Sequence, residues 1–434
     1  MKIQAPPGMR DFYPADMRLQ NWLFDAWRRV SRSFGFSEYD GPIFEFLDLF
    51  TIKSGDEIVS QLFDFEDRGG RRFAIRPEMT PTLARMVAAR ANSLPRPIKW
   101  FSIPRMCRAE KPQRGRLREF YQWNADILGV DDVLADAEII AVAVAFLREV
   151  GLTQEDVVVK LSSRPIATAV LASIGIEASQ AGRAFQLIDR YDKLGPNEFR
   201  RQWNEAYGPD VPGERLERYL TEASLEQCLD LVAAAGEQGV AARTQFESLL
   251  AHLESFGVMP FCKFDLRIVR GLGYYTGPVF EVFGRRSELR AVLGGGRYDD
   301  LTTMLDGPRV PGVGFGMGDA PMMELLKELG KLPELEEELD IFIIDADPQL
   351  FATVQELAAA LRGHGLATDF SYKRVGVSKQ FKQASARGAR YALVVGSEYV
   401  ERRELTVKNL ERGEQIIVPA DDLLRAPQEA LQRV

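Results

Sequence analysis

The first regularity along the chain is an apolar stripe at helical spacing. Residues 15–34 place leucine, tryptophan, valine and phenylalanine side chains three or four positions apart, and Gly35 follows as a stop signal, so a helix is predicted. A strand is predicted over 36–46, where Pro42 belongs at an edge or a bulge. Further strand-like segments occupy 72–76, 100–107, 119–127, 263–270, 278–283 and 312–317. Long helical stretches are few between them, so the pattern predicts an α+β domain with an antiparallel sheet.

The pattern changes twice towards the C-terminus. From about 165 to 258 it is helical with little strand signal, which predicts a helical insertion into the sheet domain. Residues 331–339 are acidic and poor in apolar anchors, as in a linker. From 340 to 434 strands alternate with helices, which predicts a small, mostly parallel α/β domain that closes near residue 425. The predicted organisation is a first domain over 1–330, a linker and a C-terminal domain.

Composition places the chain among globular proteins of two or three domains. Of its 434 residues, 46% are hydrophobic and 27% charged. No segment approaches the roughly 18 apolar residues of a membrane span, and the start lacks the apolar core of a signal peptide, so a cytoplasmic location is expected. Three scattered cysteines and two histidines predict no resident metal site, no disulfide framework and no histidine acid–base chemistry.

Charge limits the kind of nucleic-acid binding that can be expected. A net charge of −8 argues against indiscriminate binding, which needs a broad basic surface. Local recognition remains open, because two short basic patches occur. Each of them could equally be a solvated face. The patches are the loop 111–118 and the group Lys373, Arg374, Lys379 and Lys382.

The segment richest in chemistry is 105–129. Two predicted strands flank a loop in which residues 111–118 include four positive charges and no acidic one. In the second strand Gln122 and Asp126 fall on one face and apolar side chains on the other. Inward-pointing polar groups need partners, because an unsatisfied buried group costs roughly 1–3 kcal/mol. The arginines indicate a phosphate ligand, although Arg108 could also form a structural ion pair.

Two other segments have side chains suited to a small polar ligand. In 267–283 glycines strip side chains from a predicted strand, and Tyr274 and Tyr275 bring flat rings with hydroxyl groups. A glycine bulge with core tyrosines would give the same pattern. In RPEMTP, Glu78 and Thr80 stand two residues apart and would point to one side of an extended chain. Such a pair predicts a clamp for an ammonium group.

These segments resemble the signature motifs of class II aminoacyl-tRNA synthetases in their histidyl form. Arg108-x-Glu110 with its basic loop and the following REFYQ is similar to the second class II motif. RGLGYYTG, at 270–277, looks like the histidine-specific signature, usually RGLDYY or RGLAYY. The likeness runs from GMRDFYP to GVSKQFKQASARGARYALVVG, which is similar to the family's anticodon-binding domain. The chain as a whole thus resembles the histidyl-tRNA synthetase family.

The resemblance implies a role for each candidate residue. Arg108 and Arg270 would be catalytic arginines at the α-phosphate of ATP, and Pro42 would match the first class II motif at a dimer interface. The implied ligands of histidine are Glu78, Thr80, Gln122, Asp126, Tyr274 and Tyr275. The implied ATP-binding residues are Arg108, Glu110, Arg116, Gly314, Gly316 and Gly318. The implied tRNA-binding residues are Arg114, Arg118, Lys373, Arg374 and Lys379.

Two glycine-rich segments, 294–299 and 312–318, match neither the dinucleotide-binding nor the Walker pattern. Glycine at every second position instead bares one face of a strand, on which a flat adenine can lie. The second segment resembles the strand of the third class II motif, whose helix normally opens with a glutamate-arginine pair. Pro321 stands here in place of that arginine, which contacts adenine and γ-phosphate in the family. We expect another arginine, such as Arg116, to replace it.

The resemblance implies a dimeric enzyme that uses ATP and Mg²⁺ to attach L-histidine to tRNA(His) through a histidyl-adenylate. The alternative is a non-catalytic, histidine-binding paralogue of the type of the regulatory subunit of ATP phosphoribosyltransferase. The altered third motif favours that alternative, whereas Arg270 and the C-terminal domain, usually absent from that subunit, disfavour it. A degenerate synthetase that only binds tRNA is a third hypothesis.

Overall fold

The chain forms two compact units, Met1–Pro333 and Glu334–Val434. They are seen in a computed structural model, and each has a hydrophobic core of its own. The structure describes residues 3–51, 61–208, 210–211, 213–269, 274–335, 339–373 and 375–434.

Two β-sheets organise the first unit. Its strands within the described residues are β1 (Ser37–Glu38), β2 (Phe44–Phe46), β3 (Phe63–Glu66), β4 (Arg72–Ile75), β5 (Ile98–Ser102), β6 (Arg105–Cys107), β7 (Glu119–Leu128), β8 (Val157–Ser163), β9 (Cys262–Phe264), β10 (Pro278–Gly284), β11 (Leu293–Arg297) and β12 (Gly312–Gly318). The large sheet has the order β1-β5-β7-β12-β11-β10-β8-β9, with β6 paired to β7, and the small one β2-β4-β3. Apart from β1–β5 and β8–β9, the pairs are antiparallel, which confirms the predicted sheet.

Helices cover the large sheet and fill the middle of the sequence. They are α1 (Pro14–Ser33), α2 (Leu47–Thr51), α3 (Thr80–Arg90), α4 (Leu134–Glu149), α5 (Arg164–Ser173), α6 (Ala181–Asp189), α7 (Tyr191–Tyr207), α8 (Gly213–Thr221), α9 (Leu225–Ala233), α10 (Glu237–Ser255) and α11 (Asp319–Glu328). Helix α1 follows the apolar stripe predicted over 15–34. Helices α5 to α10 form the helical insertion that the fold class predicted.

Helix α4 is an element that the apolar pattern did not predict. The helix is apolar on nearly every side, because α1 packs against one face and the large sheet against another. Phe146 of α4 lies 6.1 Å from Trp27 of α1 and 5.5 Å from Trp123 of β7, measured between ring centroids. A helix buried all round has no polar stripe, so periodicity does not reveal it.

Two predicted strands are shorter in the structure. The segment 36–46 is interrupted between β1 and β2, and Pro42 lies in that connection rather than at a strand edge or bulge. The buried Arg76 stabilises the connection, because its Nη1 donates to Asp40 Oδ1 at 2.6 Å and to the Gly41 carbonyl at 2.9 Å. The predicted strand is therefore interrupted between β1 and β2, where hydrogen bonds from the Arg76 side chain take the place of backbone pairing between strands.

The predicted strand 263–270 ends at Phe264. Asp265 turns the chain, because its Oδ1 accepts from the Arg267 backbone N–H at 3.1 Å and its carbonyl accepts from Ile268 at 3.1 Å. An aspartate that binds its own downstream backbone competes with strand pairing. Arg270, the last residue of the predicted strand, lies outside the described residues.

The second unit is an α/β domain with a mixed sheet. Its strands are β13 (Leu339–Asp345), β14 (Thr368–Phe370), β15 (Ala389–Val395), β16 (Glu404–Asn409) and β17 (Gln415–Pro419), in the order β14-β13-β15-β16-β17. Its helices are α12 (Phe351–Gly363), α13 (Val377–Ala386), α14 (Ser397–Arg402), α15 (Ala420–Arg425) and α16 (Pro427–Leu431).

The prediction of a mostly parallel C-terminal sheet was wrong. Strand β13 pairs in parallel with β14 and β15, but β15–β16 and β16–β17 are antiparallel. The connection after β16 is a tight turn, in which Asn409 Oδ1 accepts from Glu411 and Arg412, and so short a connection permits only an antiparallel partner. The domain also continues past 425, because Asn409 Nδ2 donates to the Val434 carbonyl at 3.2 Å.

Candidate active site

A cavity of about 460 Å³ opens on the large sheet of the first unit. It brings together candidates from three separate sequence segments. The predicted site residues that line it are Glu78, Arg108, Glu110, Arg114, Arg116, Gln122, Gly316 and Gly318. The helical insertion contributes another wall, through Ile188, Asp189, Asp192 and Lys193.

The floor of the cavity is a row of residues across neighbouring strands. Gly316 on β12 pairs with Gly294 on β11, Gly294 with Glu281 on β10, and Glu281 with Lys160 on β8. The two glycines leave the β12 and β11 half of the row without side chains, and the β10 and β8 half is charged. A flat ligand can therefore lie against backbone on one half and reach charged groups on the other.

Arg108 is held in the cavity by backbone groups. Its N–H donates to the Arg118 carbonyl at 2.8 Å, and its Nε donates to the Pro77 carbonyl at 2.9 Å. The guanidinium carbon lies 5.2 Å from the centroid of the Phe120 ring. Pro77 precedes Glu78, so one hydrogen bond joins the arginine of the second motif to the RPEMTP segment. This planar group is oriented in advance for binding an anion.

The basic loop ends in a two-residue turn. Gln113 and Arg116 exchange backbone hydrogen bonds of 2.9 Å, and Gly115 has φ +70°, in the left-handed region that favours glycine. The turn directs Arg116 back onto Glu110, with which it forms an ion pair. The charge of the arginine that we expected to replace the missing one is therefore matched by a neighbouring carboxylate.

Two further arginines of the loop also have protein partners. Arg114 pairs with Glu324 at 2.9 Å and with Glu328 at 2.7 Å, both on helix α11. Arg118 donates from Nε to the Glu110 carbonyl at 2.9 Å. Each of these contacts fastens the loop to the rest of the first unit.

The strand and helix of the third motif are present as β12 and α11, but Pro321 stands where the arginine of the motif would be. Pro321 lines the cavity in the first turn of the helix. The fully buried carboxylate of Asp319 accepts from Arg10 Nη2 at 2.7 Å, from Gln20 Nε2 at 3.0 Å and from the Tyr121 backbone N–H at 3.0 Å. One carboxylate thus joins the N-terminal segment, α1 and β7 to the helix that follows β12.

Beside the cavity lies a tyrosine cluster, made of Tyr274, Tyr275 and Tyr298 with Glu78 and Asp126. Tyr274 Oη donates to Glu78 Oε2 at 3.1 Å, and Tyr298 Oη donates to Asp126 Oδ1 at 2.5 Å. The Tyr274 ring centroid lies 5.0 Å from that of Tyr275 and 6.1 Å from that of Tyr298. Glu78 belongs to both the cluster and the cavity, so it connects the two.

Two glycines of β12 make room for side chains of β7. A Cβ on Gly314 would meet Asp126 Oδ1 at 2.0 Å, and a Cβ on Gly316 would meet the Gln122 amide carbon at 2.7 Å. The expectation of a bare strand face therefore needs correction at both positions, because the Asp126 side chain covers Gly314 and the Gln122 side chain lies over Gly316. Gly316 reaches the cavity beside Gln122.

Asp126 changes charge near neutral pH. Burial raises the pKa of its carboxyl to about 7, and the hydrogen bond from Tyr298 opposes that rise. Burial and the charge of Asp126 raise the pKa of the Tyr298 phenol well above its ordinary value. The phenol therefore remains a hydrogen-bond donor while the carboxyl titrates.

Thr80 departs from the extended clamp that the sequence predicted. It is the first residue of α3, and Met79 before it is already helical, with φ −100° and ψ −25°. Pro81 favours a helix start at this position, so the chain turns between Glu78 and Thr80. The prediction of one extended side was wrong, and Thr80 is not among the residues lining the cavity.

Other candidates lie outside the described residues or in the second unit. Arg270 and Arg374 are outside the described residues, as are Gly271 and Gly273 of the RGLGYYTG segment. Lys373 and Lys379 are exposed in the second unit.

Sequence reasoning missed several residues of the site. Lys160 and Glu281 are single charges within the apolar strands β8 and β10, and a charge there is costly without a partner or ligand. Tyr298 was passed over inside GGGRYDD, and no pattern marks its hydroxyl group. A charge interrupting an apolar strand was thus the signal available for the first two residues.

The geometry can be compared with known proteins. A family model described as histidyl-tRNA synthetase matches residues 8–319. The chain belongs to the histidyl-tRNA synthetase family. A second model, described as an anticodon binding domain, matches residues 340–429. The class II synthetase fold that the motifs implied is therefore confirmed.

Individual members of the family align over almost the whole chain. The histidine–tRNA ligase of Arabidopsis thaliana chloroplasts and mitochondria is 41% identical over 97% of this chain and 86% of its own. That of Opitutus terrae is 41% identical over 97% of each chain. The crystal structure of the histidyl-tRNA synthetase from Nostoc gives a TM-score of 0.81 at 25% identity, covering 100% and 99%.

A second solved structure that resembles this chain has a double description. It is titled an ATP phosphoribosyltransferase regulatory subunit/histidyl-tRNA synthetase from Bacillus halodurans, with a TM-score of 0.74 at 24% identity, covering 91% and 98%. At this identity the likeness shows the fold alone. In the described part of the chain, no helix is long and apolar enough to cross a membrane.

Proposed function

We propose that this chain attaches L-histidine to tRNA(His) in two steps driven by ATP. The relatives named histidine–tRNA ligase support this activity, at 41% identity over nearly all of the chain. The observation that carries the proposal is the position of Glu78. Glu78 lines the cavity beside Arg108 and also accepts a hydrogen bond from the Tyr274 hydroxyl. A carboxylate suited to an ammonium group therefore stands between Arg108, which is suited to an anion, and the tyrosine cluster.

The tyrosine cluster is suited to the histidine side chain. Asp126 would accept an imidazole N–H, and Tyr298 orients that carboxylate through its 2.5 Å hydrogen bond. Glu78 would bind the α-ammonium group, and Gln122 would hydrogen-bond the amino acid from β7. Tyr275 would pack against the ring. The imidazole N–H and the α-ammonium group then each have a carboxylate partner.

ATP would occupy the glycine-floored cavity. Glu110 would receive the adenine side, with Gly316 and Gly318 allowing close approach to backbone. The histidine carboxylate then attacks the α-phosphorus in line and pyrophosphate leaves. Arg108 neutralises the charge that develops on the α-phosphoryl oxygens, and Arg270 is proposed to act with it. Mg²⁺ enters with ATP as part of the substrate, bound to phosphate oxygens.

In the second step the terminal adenosine hydroxyl of tRNA attacks the carbonyl carbon of the adenylate, and AMP leaves. No protein nucleophile is required. Arg114 and Arg118 of the basic loop are proposed to meet the acceptor end. Lys373, Arg374 and Lys379 are proposed to contact the anticodon region of the tRNA.

The proposed domains are a catalytic domain over 1–330 and an anticodon-binding domain over 340–434. We propose that both steps of the reaction take place in the cytoplasm.

A homodimer is part of the proposal, supported by an apolar face beside the first class II motif at Pro42. Phe44, Phe46 and Phe65 are 46%, 54% and 41% exposed on the small sheet, and all three contact the Phe73 ring. Contiguous exposed aromatic side chains are typical of interfaces. Sedimentation equilibrium should give twice the chain mass of 48.8 kDa, and a monomer across micromolar concentrations would contradict the proposal.

Histidine-dependent exchange of labelled pyrophosphate into ATP tests the function. An enzyme that forms histidyl-adenylate should exchange label only when histidine is present. The alternative of a regulatory histidine-binding paralogue, which the loss of the third-motif arginine favours, predicts exchange at background. A tRNA-binding degenerate synthetase predicts the same. Background exchange with an otherwise folded, histidine-binding protein would overturn the proposal.

Tyr298→Phe should shift the pH dependence of histidine use. The hydrogen bond from Tyr298 lowers the pKa of Asp126, so its loss raises that pKa further above about 7. The carboxylate form binds the imidazole N–H, so kcat/KM for histidine should rise with pH and the rise should move to higher pH in the variant. At pH 7 we expect about a tenfold loss of kcat/KM, the size of one hydrogen bond to a charged group.

The matched control for that prediction is Tyr191→Phe. Tyr191 also donates to a buried carboxylate, that of Glu217, but it lies in the helical insertion and does not line the cavity. Its pH profile should match that of the unchanged protein. Because free histidine titrates identically in every sample, an unshifted profile in Tyr298→Phe would contradict the assigned role of Asp126.

A further inference from the structure

Most cations around the cavity already have a carboxylate partner. Arg114 and Arg116 pair with glutamates, and Lys160 and Arg267 share Asp265 at 2.9 and 2.7 Å. Lys193 and Arg290 are different. Both line the cavity and are exposed, and the side chain of neither forms an ion pair or hydrogen bond with any residue that the structure describes. Lys193 belongs to the wall of the helical insertion, whereas Arg290 lies in the connection between β10 and β11.

The turn that contains Arg290 packs against the helix of the third motif. This turn joins β10 to β11 and spans 285–292. Ser287 Oγ donates to Glu328 Oε2 of α11 at 2.5 Å, and a Cβ on Gly284, at the end of β10, would meet Leu325 of the same helix at 2.6 Å. The turn therefore has a fixed position over α11.

Contacts at Gly115 bring Arg290 to the corner where the motif lacks its arginine. A Cβ on Gly115 would lie 3.4 Å from Leu289 Cδ2 and 3.4 Å from Pro321 Cα. Leu289 and Pro321 thus meet the same point of the basic loop, and Arg290 is the residue after Leu289. Both Arg290 and Pro321 line the cavity.

We propose that Arg290 binds the terminal phosphates of ATP and supplies the guanidinium that is absent at Pro321. This inference rests on the proposed function and adds an ATP-binding residue to its site. The exposed position suits the charged, hydrated triphosphate tail, whereas the flat adenine suits the glycine floor. Recruiting Arg116 instead would leave the buried carboxylate of Glu110 without its partner, which is strongly unfavourable. Arg290 can bind phosphate without breaking an existing pair.

The test compares Arg290→Ala with Arg286→Ala. Arg286 lies in the same exposed turn but does not line the cavity, so its removal makes the same change of net charge elsewhere. In Arg290→Ala we expect the KM for ATP in pyrophosphate exchange to rise at least tenfold, with the KM for histidine within twofold. Arg286→Ala should match the unchanged protein. A KM for ATP within twofold of that control would overturn the inference.

Equilibrium dialysis without histidine separates the inference from the proposed function. Arg290→Ala should bind ATP at least tenfold more weakly and AMP within twofold of the unchanged protein, because AMP lacks the terminal phosphates. Equal weakening for both nucleotides would assign Arg290 to the nucleoside end and overturn the inference. Absence of histidine-dependent exchange in the unchanged protein would instead overturn the proposed function, while the dialysis would still decide the role of Arg290.

Discussion

Arg108→Ala should lower the rate of histidine-dependent pyrophosphate exchange by about a thousandfold, since removing one pre-oriented donor from a developing oxyanion costs roughly 10²–10³ in rate. The guanidinium is held in place by the Pro77 carbonyl at 2.9 Å and by the Phe120 ring, whose centroid lies 5.2 Å from the guanidinium carbon. The effect should fall on kcat, because the charge that Arg108 meets develops in the transition state. Single-turnover formation of the adenylate measures it directly.

Arg105→Ala is the matched control for this prediction. Arg105 lies three residues earlier, pairs with Glu119 at 2.8 Å on the exposed side of β6, and does not line the cavity. Its exchange rate should stay within a few-fold of the unchanged protein. Arg108→Lys should recover little, because an ammonium lacks the planar fork. If Arg108→Ala kept more than about a tenth of the rate, the arginine would have no catalytic role.

Gly314→Ala should lower kcat/KM for histidine by about a hundredfold and also reduce stability. The new methyl group would stand 2.0 Å from Asp126 Oδ1 and 2.8 Å from the Ala125 carbonyl, so the carboxylate must move. Moving it breaks the hydrogen bond from Tyr298 in a buried site. Overpacking of this kind costs typically 1–3 kcal/mol. Steady-state kinetics with varied histidine and a denaturant titration measure the two effects.

Gly182→Ala provides the comparison for a glycine with free space around it. Gly182 lies in helix α6, and a Cβ there meets nothing within 4 Å beyond its chain neighbours and the backbone of its own helix. Alanine should leave kcat/KM unchanged and raise the free energy of unfolding by about 1 kcal/mol, from helix propensity alone. Unchanged kinetics in Gly314→Ala would mean that Asp126 does not contact the substrate.

Elements whose apolar residues recur at regular spacing, or whose ends are marked by a glycine or proline, were predictable from the sequence. Helix α1 has a polar face and an apolar face, and β7 alternates strictly between Gln122 or Asp126 and core residues such as Trp123. Helix α4 has no such contrast because it is buried on most sides. The end of β9 was missed because a side-chain turn at Asp265 leaves no signal in hydrophobicity.

The residues of the site were easier to find than their partners. Arg108, Glu78 and Gln122 stand in recognisable motifs, and one cavity includes all three. Their geometry depends on contacts between distant segments, such as Tyr298 with Asp126, 172 positions apart. Arg116 pairs with Glu110, so its charge is already matched by a carboxylate. That pairing follows from the turn at Gly115, which the spacing of residues in the sequence does not determine.

The wall contributed by the helical insertion has a consequence for water. Asp192 of α7 pairs with Arg267 at 2.7 Å, and with Ile188 and Asp189 it closes one side of the cavity. An acyl phosphate is lost by hydrolysis when water can attack its carbonyl carbon. By lining that side of the cavity, the helices would reduce the access of water and so lengthen the time for which an activated amino acid survives before a nucleic acid accepts it.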